Sequence, residues 1–142
     1  MIIKGEGPVP TKIAIFGERA GKDEARWGRP FVGKSGRELT RYLFNEGISR
    51  EDCYISNVCK DYLPGDPDPT PDELARDWPL VLDELKRVRP KYLGLVGRYA
   101  ARAFLGDDLE MEWSHGLSFP VKWPHMTAMP LYHPAYGLHQ PG

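Results

Sequence analysis

Short apolar runs that each close on a glycine or carry a polar residue near their end, separated by stretches with helical periodicity, constrain this chain most. Ile13-Ala14-Ile15-Phe16 stops at Gly17, Tyr54-Ile55-Ser56-Asn57-Val58 holds its asparagine near its end, and Tyr92-Leu93-Gly94-Leu95-Val96 stops at Gly97. Runs of this length between turn residues read as buried strands. After the first, Ser35 and Glu38 have capping-box spacing, Leu39, Tyr42 and Leu43 share a helical face, and Gly47 is a stop signal. After the second, Thr70, Pro71 and Glu73 supply a cap, a first-turn proline and a capping-box partner. Leu74, Trp78, Val81, Leu85 and Val88 then recur at alternating fours and threes, the stripe of an amphipathic helix that Pro79 is expected to kink or break. Arg98 to Leu105 reads as an alanine-rich helix stopped at Gly106, and Ser118 to Val121 and Met129 to Tyr132 read as late strands. This alternation predicts an α/β fold, a three-layer α/β/α sandwich with a mainly parallel four-stranded sheet. Met1 to Thr11 reads as a loose lead-in, Gly17 to Lys34 as a long loop, and Asp61 to Pro71 as a Pro/Asp/Gly loop.

The 142 residues suit a single domain over 1–142, with no repeat, linker or low-complexity tract. No apolar run has the length of a membrane span and no signal-peptide pattern opens the chain, so a soluble, cytoplasmic monomer is expected. Two cysteines, Cys53 and Cys59, cannot alone complete a four-ligand metal site, and free buried thiols are expected over a disulfide. With 19 basic and 20 acidic residues the net charge is −1, which argues against a protein held on nucleic acid by bulk charge. An enzyme that grips a few phosphates locally remains compatible with that balance.

Ligands of parallel α/β sheets sit at the C-terminal ends of strands. Glu18, Asn57 and His133 all fall at or just after such ends, which points to one shared site. In Gly17-Glu18-Arg19-Ala20-Gly21-Lys22-Asp23-Glu24, glycines allow close backbone approach to a ligand with carboxylates nearby, and a solvated turn is the alternative. Gly28-Arg29-Pro30-Phe31-Val32-Gly33-Lys34-Ser35-Gly36 lacks the Walker spacing, and Phe31 in it is either a core plug or a stacking platform. The Asn57 amide can donate and accept side by side, as a pyrimidine edge requires, or it can cap the next loop. Tyr132-His133-Pro134-Ala135-Tyr136 puts a histidine on a stiff turn after a strand, where it is either a structural residue or a neutral donor.

Taken together, these segments resemble the uracil-DNA glycosylase superfamily, above all its family 4 type. The resemblance is carried by Gly17-Glu18 with Gly21 and Glu24, by Gly28 to Gly33 with Ser35-Gly36, by Tyr54 to Lys60, by Arg89-Pro90-Lys91 leading into the third strand and Gly97, and by His133-Pro134-Ala135-Tyr136. It implies an enzyme that cuts the glycosidic bond of a uracil flipped out of DNA. Glu18, Glu24 and His133 are then the catalytic residues, with His133 donating to the departing base and a glutamate positioning water. Gly17, Arg19, Gly21, Phe31 and Asn57 bind the base and sugar. Lys34, Ser35, Pro134, Ala135 and Tyr136 contact the DNA. The alternatives are a catalytically weak DNA- or polymerase-associated module of the same fold, or a glycosylase for another base.

Departures from the family pattern also carry expectations. Family 4 members usually hold an iron–sulfur cluster on four cysteines. Here the N-terminal pair is missing, and Asp61 and Asp77 stand where the other two are expected. No cofactor and no metal are therefore expected. Arg19 replaces a small residue, so it either contacts a phosphate or reshapes the pocket. Asp66-Pro67-Asp68-Pro69 occupies the place of a histidine-bearing basic loop found in a variant that bonds covalently to uracil DNA.

Overall fold

The computed structural model describes residues 1–121 and 125–132. Its centre is a five-stranded sheet made of β1 (Ile13–Arg19), β2 (Cys53–Cys59), β3 (Tyr92–Val96), β4 (Phe119–Val121) and β5 (Met126–Leu131), in the order β2-β1-β3-β5-β4. The first three strands and β5 run parallel, and β4 pairs antiparallel with β5 at the edge. β4 falls within the stretch Ser118 to Val121 read as a strand, but it joins the sheet as an antiparallel fifth strand where four were expected. β5 begins three residues before the expected Met129, because its alternation of buried and half-buried residues starts at Met126.

β1 and β2 bury both faces, which is why their sequences are near-continuous apolar runs. Ala14 and Phe16 of β1 with Tyr54 and Val58 of β2 face one way, onto Val81, Leu85 and Val88 of the long helix and Ala100 and Ala101 of the alanine-rich helix. Ile15 and Ile55 face the other way, with Phe31, onto Leu39 and Leu43. Helices on both faces make the three layers. On the second face lies α2 (Lys34–Asn45), preceded in the chain by a short α1 (Lys22–Trp27) inside the segment read as loop. On the first lie α3 (Pro71–Val88) and α4 (Arg98–Leu105), and a short α5 (Met111–Ser114) precedes β4.

Three expectations are corrected. α2 starts at Lys34 with Gly33 as its cap, so Ser35 lies inside the first turn and forms no capping box. α3 runs through Pro79 as one helix; the proline is exposed, and its lost hydrogen bond is outweighed by the buried stripe on the opposite face. The lead-in is pinned: Ile3 is buried and its N–H donates to Lys60 O at 2.8 Å, and Glu6 pairs with Ile55. The cap of α3 forms as read, with Glu73 N–H donating to Thr70 Oγ1 at 3.2 Å and Thr70 N–H to Glu73 Oε1 at 3.0 Å.

Candidate active site

Parallel register brings Gly17 of β1 opposite Asn57 of β2 at the C-terminal edge of the sheet. Over this pair lies the Phe31 ring. A Cβ on Gly17 would fall 2.4 Å from Phe31 Cζ and 2.7 Å from Asn57 Oδ1, so only glycine lets ring and amide meet across the strand. Asn57 is 4% exposed, yet no atom of its amide is sealed away from both solvent and a partner. A pocket of about 80 Å³ opens here, lined by Glu18, Gly21, Glu24, Phe31, Asn57 and Asp66 among others. A flat ring beside an amide with open donor and acceptor capacity suits a planar heterocycle.

The two glutamates of the first loop are held differently. Glu18 Oε2 accepts from the Tyr99 N–H, at 2.9 Å, in the first turn of α4. Gly97 makes room for it, since a Cβ there would lie 2.7 Å from the carboxyl. Burial pushes the Glu18 carboxyl above the usual range; the Tyr99 bond opposes this, and the charges of Asp68 and Asp66 add to it. Glu24 accepts three backbone N–H groups, from Gly21 at 3.0 Å, Val32 at 2.9 Å and Gly33 at 2.7 Å. It clasps the two ends of the glycine-bounded segment around the pocket.

Arg19 has its guanidinium bonded within the protein. Its side chain is 1% exposed, and its guanidinium donates to Asp61 Oδ1 and Asp61 O, both at 3.1 Å, to Glu73 Oε1 at 2.7 Å and to Pro67 O at 3.2 Å. Arg19 also lines the pocket, and its bonds to Asp61 and Pro67 O hold the loop that carries Asp66, another pocket residue. Lys34 is exposed at the start of α2 and Ser35 lines the pocket, at a helix N-terminus whose dipole favours anions.

β5 reaches the same edge. Leu131 O accepts from Gly97 N–H at 2.8 Å, and Tyr132 N–H donates to His115 Nδ1 at 2.8 Å, with the two rings stacked 4.5 Å apart. His133, Pro134, Ala135 and Tyr136 lie outside the described residues. Sequence reading gave Tyr99, His115 and Arg50 no role. Each acts through a partner distant in sequence, for which no local spacing is a signal.

Cys59, Asp61 and Asp77 bring ligand atoms within 4.8 Å of one another, at the place where the family resemblance puts cluster ligands. The donor set does not fit an iron–sulfur cluster, which takes thiolates. Asp61 Oδ1 accepts from Arg76 at 2.8 Å as well as from Arg19, and Asp77 accepts from Arg76 at 2.9 Å and from Lys60 N–H at 2.8 Å. Burial drives the Cys59 thiol up to about 12, so it stays protonated. Guanidinium groups fill the space between these carboxylates. Cys53 and Cys59 are both buried and free of any disulfide.

A model of the uracil DNA glycosylase superfamily matches residues 4–142. The chain is 34% identical over 146 residues to the type-4 uracil-DNA glycosylase of Archaeoglobus fulgidus, covering 98% of this chain and 73% of the relative. It is 35% identical over 138 residues to that of Thermotoga maritima, covering 96% and 71%. With that of Saccharolobus solfataricus the figures are 34% over 148 residues, 98% and 68%.

Proposed function

The chain belongs to the uracil DNA glycosylase superfamily, and from that premise we propose that it hydrolyses the N-glycosidic bond of a uracil flipped out of DNA, leaving an abasic site. The observation that carries this reading is the meeting of the Phe31 ring and the Asn57 amide over Gly17, with the Glu18 carboxyl on the next residue of the same strand. Phe31 stacks on the extruded base, and Asn57 donates and accepts along its Watson–Crick edge. As the bond lengthens, positive charge grows on the sugar and negative charge on the base. Ionised Glu18 opposes the first and orients the attacking water, as carboxylates do in glycoside hydrolysis. His133, the second residue after the end of β5, supplies the hydrogen bond to the base oxygen where the negative charge collects. Glu24 acts through the loop: its three backbone bonds fix the walls of the pocket.

Lys34, Ser35 and the Pro134-Ala135-Tyr136 run grip phosphates on either side of the flipped nucleotide. The reading needs no metal and no cluster, which is supported by the arginines that occupy the Asp61 and Asp77 carboxylates. Two free buried thiols suit a protein working in a reducing cytoplasm. No helix among the described residues is long and apolar enough to cross a membrane.

The test is a panel of end-labelled oligonucleotides, single- and double-stranded, carrying uracil, thymine, cytosine, hypoxanthine or xanthine at one position. Alkali should cleave the uracil strands alone after incubation. Cleavage at hypoxanthine or xanthine in place of uracil would transfer the assignment to another base. Binding without cleavage at stoichiometric protein would make the chain a DNA-binding module.

A further inference from the structure

Phe31 holds its ring over Gly17 from an unusual backbone. Its φ is +51°, a left-handed conformation that a side chain larger than that of glycine rarely adopts. Such a conformation persists only where neighbours over-determine it. Two do so here. A Cβ on Gly36 would lie 1.9 Å from Phe31 O, so the first turn of α2 packs its bare backbone on the Phe31 carbonyl. Opposite, the half-buried Arg50 guanidinium forks onto two successive carbonyls. Nη2 donates to Pro30 O at 2.8 Å and Nη1 donates to Phe31 O. Nη1 also lies 3.3 Å from Thr40 Oγ1 of α2. Among the described residues no carboxylate forms an ion pair with Arg50, whose donors go to the loop.

Arg50 starts the 3-10 turn Arg50–Asp52, which runs directly into β2. The strand that carries Asn57 is thereby tied, through one planar fork, to the loop that carries Phe31. We propose that Arg50 is a positioning residue for base recognition, which holds the Phe31 backbone so that the ring faces the base at a fixed separation from Asn57. This rests on the uracil reading above. It makes Arg50 a determinant of base affinity although it does not touch the base. The planar guanidinium is essential, because an ammonium cannot span both carbonyls in fixed geometry.

The experiment compares wild type, Arg50→Lys, Arg50→Gln, Phe31→Ala and the double variant Arg50→Lys/Phe31→Ala. Affinity is measured for an oligonucleotide with one 2′-fluoro-2′-deoxyuridine, which resists hydrolysis, and for the same strand with a tetrahydrofuran abasic analogue. The ratio of the two affinities isolates the base. Loss of a stacking platform corresponds to about 5–150-fold. Arg50→Lys should cut the ratio by about tenfold while abasic binding holds, Arg50→Gln should cut it at least as far, and the double variant should match Phe31→Ala alone. An unchanged ratio in Arg50→Lys, or additive losses in the double variant, would overturn the proposal. A second readout needs no DNA. The NMR contact between the Phe31 ring and the Gly17 α-protons, present in wild type, should vanish in folded Arg50→Lys, and its persistence would equally overturn the proposal. A wild-type protein that does not tell the two strands apart, with that NMR contact still dependent on Arg50, sinks the uracil reading and leaves the positioning intact.

Discussion

Glu18 and Glu24 sit six positions apart in one glycine-bounded segment and do different work. Glu24 spends its carboxylate on three backbone N–H groups, whereas Glu18 keeps one oxygen for the pocket. Glu18→Gln should therefore lower the single-turnover rate by about 10²–10³, the scale of losing one electrostatic contact made in the transition state. The same variant should melt higher at neutral pH. A carboxyl whose folded pKa is raised, here first by burial, stabilises the fold at acid pH and loses that contribution as pH rises through the folded pKa. Glutamine does not titrate, so it removes that loss, and calorimetry across pH 4–8 reads the difference. The rate of wild type should fall on the acid side at a higher pH than an ordinary glutamate would give. Phe31→Ala should cost about 1–3 kcal/mol of base binding. Asn57→Asp should shift the ratio of uracil to cytosine cleavage, since a carboxylate accepts but cannot donate. That Glu18 and Asn57 come together at one pocket was legible from their places at strand ends, whereas Phe31, which lines the same pocket from the loop before α2, was singled out by the family resemblance. Arg50 was not, because its partners lie 10 to 20 residues away and its charge reads as ordinary surface.

At the scale of elements, one ionic network joins β1, the 61–69 loop and α3. Arg19 binds Asp61 and Glu73, while Arg76 binds Asp61 and Asp77. Arg19→Ala removes a fully buried cation and leaves two carboxylates that retain some solvent contact. The fold should lose stability near the lower end of about 3–5 kcal/mol, by denaturant unfolding. Glu73 is held below its ordinary pKa first by its bond to Arg19. For Asp77, burial acts in the opposite direction and Arg76 and the Lys60 N–H outweigh it. Groups lowered in this way stabilise the fold above their unfolded pKa values and lose that contribution as pH falls through the folded ones. The acid limb of unfolding should thus lie below the usual carboxylate range and move up in Arg19→Ala. Protein purified aerobically should be colourless and free of stoichiometric iron by elemental analysis; a brown protein with matching sulfide would contradict the occupancy of this site by arginines. The tie between Arg19 and Asp61 and Glu73 was not legible in the sequence, because Arg19 contacts its partners across 42 to 54 residues. The cap of α3 was legible because Thr70, Pro71 and Glu73 are a local code, whereas the start of α2 was set by Glu24 and Gly36 reaching the loop before it.

Across the whole molecule, the strand ends decide the function. Parallel β-helix-β connections place β2 and β3 on either side of β1 and deliver Gly17, Glu18, Asn57 and Gly97 to one edge. The alternation of apolar runs and amphipathic stretches was enough to foresee that edge. It could not foresee the antiparallel β4, the clasp by Glu24, or the pinning of the lead-in against β2, which depend on tertiary contacts. The central claim, that this edge excises uracil, is tested most directly by chromatography of the free base released from a uracil-containing oligonucleotide at excess protein. One equivalent of uracil should appear with one abasic site per strand, and none from the matched thymine strand. Uracil DNA that is bound, stays intact and yields no free base would contradict the account.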